Sequence, residues 1–176
     1  MNHKTKDLIK GDADWHEIIN KNFSVLEQNI VSIALIDGKE GQIADVSTSN
    51  GKEVGVGSTI YYTDSSYKFV SVDSKHRILV NEDGVYCFIM QAWGQIPVSH
   101  NGYFYMNTAK NGVRAGGQDR LFGTGADALK NRQDGTGMYI GKFTKGDTIS
   151  ALIETNYTGK IDSAGIKSVV VVKVGV

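Results

Sequence analysis

Gly84-Val85-Tyr86-Cys87-Phe88-Ile89-Met90-Gln91-Ala92-Trp93-Gly94-Gln95 is the stretch whose reading decides the fold. β-Branched and aromatic residues dominate it, and these favour a pleated, half-buried strand. From Val85 to Met90 it is apolar without a break. An antiparallel strand with one wet face alternates apolar and polar positions. This one does not, and neither does Val169-Val170-Val171-Val172 near the other end of the chain. Both faces of these strands therefore need cover. One face can enter a sandwich core. The other needs a second layer, supplied most simply by a subunit interface, or alternatively by a loop folded over the sheet.

Working outward, strand-like runs recur at 59–63, 67–72, 77–80, 85–95, 103–108, 138–144, 148–155 and 168–174. Turn signals separate them, among them Asn81-Glu82-Asp83-Gly84 and Thr144-Lys145-Gly146-Asp147. The chain carries 21 glycines and one proline among its 176 residues, as suits many short strands and tight turns. The reading is mainly β: an antiparallel jelly-roll sandwich over residues 59–176. Residues 38–58 read as a polar linker with one weak strand around Ile43, Ala44 and Val46.

Residues 1–37 read as an N-terminal helix, stalk and attachment segment. Asp14 and Glu17 have capping-box spacing. Ile19, Phe23, Leu26, Ile30 and Ile33 then follow at spacings of four and three, a heptad seam. Asp37-Gly38 supplies a stop. The spacing predicts a short α-helix over 14–36. Isoleucine at d positions favours a trimeric coiled coil, while one amphipathic helix packed on its own domain reads the same residues.

Composition narrows the function classes. Nineteen basic and nineteen acidic residues cancel, and no basic block stands out, so the electrostatic footprint of a nucleic-acid binder is absent. No apolar run is long enough to cross a bilayer as a helix. Met1-Asn2-His3-Lys4-Thr5-Lys6-Asp7 lacks a signal-peptide apolar region, which predicts synthesis in a cytoplasm without export by that route. The single cysteine, Cys87, reads as a small core residue. His3, His16, His76 and His100 show no metal-ligand spacing, and no nucleophile elbow, phosphate loop or calcium loop occurs. The reading is a non-enzyme with no metal and no cofactor. A glycan hydrolase built on carboxylates such as Glu82, Asp119 and Asp134 is the weaker alternative.

Two resemblances add expectations. Ala13-Asp14-Trp15-His16-Glu17-Ile18-Ile19-Asn20-Lys21-Asn22-Phe23 resembles a stretch near the N-terminus of tail-fibre and baseplate proteins of tailed bacteriophages, where it leads into a trimeric stalk. That likeness implies a virion protein whose N-terminal helix meets other virion proteins. Further on, Gly84-x-Tyr86-x-Phe88, Asn111-Gly112, Phe143-x-x-Gly146-Asp147-x-Ile149 and the closing strand at 168–174 follow one another as in a second family. Their order resembles the trimeric jelly-roll family of the tumour necrosis factors and the globular heads of the first complement component. This second likeness implies a homotrimer, with Tyr86 and Phe88 on a sheet near the threefold axis and Gly146-Asp147 in a tight turn. No collagen-like stalk is present, and the closing strand lacks that family's Phe-Ser-Gly pattern.

The expected trimer interface is thus Ile19, Phe23, Leu26, Ile30, Ile33, Tyr86 and Phe88. Residues 96–137 are the expected binding surface, because loops on a rigid scaffold usually carry recognition. There His100, Tyr103, Arg114, Gln118 and Arg120 offer hydrogen-bond groups and an aromatic face to a host cell-surface saccharide. Trp93, Tyr103 and Tyr105 are aromatics that either stack on sugars or pack in the core. The sequence reading is a trimeric structural protein of a phage virion. A bacterial surface or secreted binding module with a tumour-necrosis-factor-like fold is the alternative.

Overall fold

The computed structural model describes residues 32–39, 51–95, 102–115, 119–124, 132–157 and 163–175. Twelve strands run through them: β1 (Ser32–Lys39), β2 (Lys52–Val54), β3 (Ile60–Tyr62), β4 (Val70–Val72), β5 (Ile78–Val80), β6 (Gly84–Gln95), β7 (Gly102–Lys110), β8 (Val113–Arg114), β9 (Asp119–Thr124), β10 (Arg132–Phe143), β11 (Thr148–Thr155) and β12 (Ser163–Gly175). They form two antiparallel sheets. The first has the order β10-β6-β12-β1-β3; the second has β4-β5-β11-β7-β8, with β2 on β11 and β9 on β7. From β5 the chain crosses to β6, back to β7, over again to β10, back to β11 and finally to β12. Repeated crossing between two packed sheets is jelly-roll winding.

All eight strand runs read from the sequence appear, and the apolar strands lie at the centre of the first sheet. β12 is hydrogen-bonded between β6 and β1, with Val171 opposite Phe88 and Ala34, and Val169 opposite Met90 and Ile36. Those side chains are fully buried between the sheets, together with Phe104, Ile149, Ala151 and Ile153 from the second sheet. Aromatic rings fill one end of this core. Phe143 meets Phe88 edge-on at 5.2 Å and Tyr86 at 5.8 Å, and Phe69 reaches Tyr86 at 6.2 Å. The same end holds one buried cation. Lys173 Nζ donates to Glu82 Oε2 and to the Tyr67 hydroxyl, each at 2.7 Å.

One turn sets a register within the second sheet and another joins the two sheets. Asn111 and Gly112, between β7 and β8, both have positive φ, 54° and 76°, as a two-residue hairpin turn with the twist of its strands requires. Thr144–Asp147 joins β10 to β11. Gly146 there adopts φ 94°, and the Asp147 amide donates to the Thr144 carbonyl at 2.9 Å.

The expected N-terminal helix is corrected. Among the described residues there is no helix, and Ser32–Lys39, the end of the predicted helix and the start of the linker, is strand β1. The physical reason lies across the sheet. Ile33, Ala34, Leu35 and Ile36 pair with Val172, Val171, Val170 and Val169, and a ladder against four valines outweighs a local heptad spacing. Within β1 the alternation has period two: Ala34 and Ile36 are buried, while Ile33 and Leu35 face outward. Ile19, Phe23, Leu26 and Ile30 lie outside the described residues, as does the weak strand expected at 43–46. The short strand found in the linker segment is β2 instead.

Candidate functional site

The outer face of the five-stranded sheet is apolar from edge to edge. In register across it run Tyr61, Leu35, Val170, Ile89 and Met138, one residue from each of β3, β1, β12, β6 and β10. The adjacent row is Ile33, Val172, Cys87 and Ile140. Among the described residues seven large hydrophobic side chains are exposed, and six of them lie here: Ile33, Leu35, Tyr61, Met138, Ile140 and Val174. Scattered exposed apolar residues are ordinary, but a contiguous set is not. Charge sits at the margin of the face, where Lys142 lies next to the end of β10 and Lys167 pairs with Asp134 at 2.6 Å. No described loop covers the patch, since Met138 is 63% and Ile140 56% exposed. Cys87 lies inside it, and burial raises its thiol pKa, which favours the protonated form.

Tyr86 and Phe88 do not join this surface. Each is fully buried and points between the sheets, stacked on the other at 6.0 Å. Their strand is central to the patch, but it presents Val85, Cys87 and Ile89 outward, one residue out of step with the expectation. Ile33 is on the patch, 37% exposed.

The expected ligand residues distribute differently. Tyr103 is half-buried on β7, Arg114 is exposed on β8, and Arg120 on β9 lies opposite Tyr105 of β7, so these three belong to one sheet. His100 and Gln118 lie outside the described residues. The Arg114 guanidinium is paired with the Glu154 carboxylate of β11. Glu154 is only 3% exposed, and this ion pair is what makes its burial tolerable. Beside it, Ser150 Oγ donates to Glu53. Sequence reasoning missed Glu154, although a lone carboxylate in the apolar run 148–155 was a legible signal. Trp93 is 4% exposed, so it packs rather than stacks on a sugar; a side chain on Gly165 would meet its indole nitrogen at 2.9 Å.

A second feature was not foreseen. Between the edge strands β3 and β4 lies an open groove of about 800 Å³, bordered by Ser58, Tyr61, Ser65, Lys68, Ser74 and His76. Ile60 and Val72 provide its apolar wall. The Tyr62 hydroxyl donates to the Val70 carbonyl and ties the two edges together. A fixed loop forms one side. Asp73 Oδ1 accepts from the amides of Lys75 and Arg77, both at 2.9 Å, and Oδ2 accepts from Arg77 Nε at 2.8 Å.

Among the described residues no group of three or more His, Cys, Asp or Glu side chains could hold a metal ion. The described residues hold no helix long and apolar enough to cross a membrane, a statement that does not bear on β-barrels. No family model matches the chain, and no curated protein does. Among solved structures it is similar to Eiger TNF from S. frugiperda, at 13% identity and a TM-score of 0.46 over 80% of this chain and 90% of that one. It is also similar to murine APRIL, at 14% identity and a TM-score of 0.45 over 82% and 99%. The tail-fibre likeness of residues 13–23 falls outside the described residues and finds no support in these comparisons. Strand order and the unalternating sheet define the class on their own terms: a jelly-roll sandwich with one apolar outer face.

Proposed function

We propose that this chain is a non-enzymatic, self-associating jelly-roll module that acts as a homotrimer, its subunits packed through the outer face of the β10-β6-β12-β1-β3 sheet. The observation that carries this reading is the in-register apolar patch across all five strands. Six exposed large hydrophobic side chains on one face are more than the scattered apolar residues of an ordinary surface. A face this size with its charges at the margin suits a second copy of a chain whose net charge is zero. Like charges would not have to be brought together. The number three follows the trimeric jelly-roll family that the sequence resembles, and a closed ring satisfies every copy of a heterologous patch. Such a ring is a rigid platform that repeats each surface site three times.

Leu35→Asp and Ile140→Asp test the proposal, because both side chains belong to the patch and are exposed in the single chain. Each variant should elute as a monomer in gel filtration with an unchanged far-ultraviolet spectrum. Retention of the parent elution volume by both would remove the sheet face from the interface.

A further inference from the structure

We propose that the groove between β3 and β4 binds an acidic saccharide. The inference does not depend on the assembly proposed above. The groove's volume of about 800 Å³ lies within the roughly 300–1,000 Å³ of small-ligand sites. It sits where the edges of the two sheets part, and the Tyr62–Val70 hydrogen bond holds those edges at a fixed separation.

The wall at 73–77 is built rather than loose. His76 lies in the left-handed region, at φ 60°, uncommon for a residue with a side chain. Its amide donates to the Asp73 carbonyl and its carbonyl accepts from the Val56 amide, each at 2.9 Å. A side chain on Gly55 would strike His76 Cβ at 2.6 Å, so glycine there makes room for this arrangement. His76 Nδ1 is buried without a hydrogen-bond partner, an unspent polar group in the wall of a cavity.

The chemistry of the lining selects the ligand. Asp73 is already neutralised by Arg77 and two amides. Lys68 has no ion-pair partner among the described residues, so the groove carries one uncommitted positive charge. That favours a ligand with an acidic group. The Ser58, Ser65 and Ser74 hydroxyls make no hydrogen bond among the described residues, and a hydroxyl both donates and accepts. Such groups match the hydroxyls of a sugar. An added peptide strand fits less well. β3 and β4 have three residues each, and the Tyr62–Val70 link crosses the gap that a new strand would occupy.

The test applies the full chain to an array of neutral, uronic-acid-bearing, sialylated and sulfated oligosaccharides. Calorimetry then follows on the strongest acidic hit and on its carboxyl-reduced or desulfated form. Acidic glycans should bind in preference to neutral ones, and removing the acid group should weaken binding. Lys68→Ala should weaken it by about fivefold with the oligomeric mass unchanged. Ser65→Trp, which fills the groove from an exposed position, provides an independent block and should abolish the signal. Neutral glycans binding as well as acidic ones, no glycan binding at all, affinity unmoved by Lys68→Ala and Ser65→Trp, or tighter binding of an acidic peptide would each overturn the assignment.

Discussion

Asp147 shows how one side chain secures a turn. Its Oδ2 accepts from the Thr144 amide at 2.8 Å and meets Lys110 Nζ at 2.7 Å, while Oδ1 accepts from Asn111 Nδ2 at 2.8 Å. Burial works to raise its pKa, but these donors outweigh burial and lower it. A carboxyl with a lowered folded pKa stabilises the fold above its unfolded value, about 3.9, and loses that contribution as pH falls through the folded value. Asp147→Asn should therefore cost about 1–2 kcal/mol at neutral pH, and the gap to the parent should close in acid. Urea unfolding at several pH values checks this. Lys173 has the opposite sign. Burial works to lower its pKa, but hydrogen bonds to Glu82 and Tyr67 outweigh burial and raise it. Its contribution is complete below the unfolded value, about 10.4, and is lost as pH rises through the folded one. Lys173→Met should show its stability deficit at neutral pH and lose it in strong alkali. The sequence displayed the Gly146-Asp147 turn. It could not display Asn111 and Lys110 as partners, because that contact spans 36 residues and exists only once β7 and β11 have paired.

At the scale of elements, period and turn chemistry located eight of the ten strands from 59 onward but not β8 and β9, which lie in a segment read as loops, and a run with no alternation marked β6 and β12 as needing cover on both faces. β1 was misread because Ile30 and Ile33 complete a heptad spacing, while its partner β12 lies more than 120 residues downstream and leaves no local trace. The strand assignment makes a prediction that a helix would not. Ala34 is fully buried and Leu35 is 40% exposed, on opposite faces. Ala34→Asp should unfold the sandwich, since an unpaired carboxylate in an apolar core costs several kcal/mol. Leu35→Asp, one residue on, should keep the fold and lose only association. Circular dichroism and thermal melts of the two variants, side by side, separate these outcomes. The expected binding residues fared unevenly for a related reason. Arg114 was legible as a charged residue in a turn-rich segment, but its pairing with Glu154 across 40 residues was not. The β3–β4 groove was invisible because its lining comes from short segments that sequence reading treats only as edge strands and turns.

Over the whole molecule, the core has no visible shortage. Among the described residues, two sheets bury a continuous set of aliphatic and aromatic side chains, and the buried charges of Glu154 and Lys173 are paired. The anomaly is on the outside, where the β10-β6-β12-β1-β3 sheet repeats apolar residues in register on a surface that water would otherwise wet. Association removes the anomaly, and a monomer would retain it. The mass of the full chain in solution at micromolar concentration, from light scattering coupled to gel filtration, tests this most directly. A trimer gives about three times the chain mass, as for a closed cyclic assembly. A folded species of single-chain mass would contradict it.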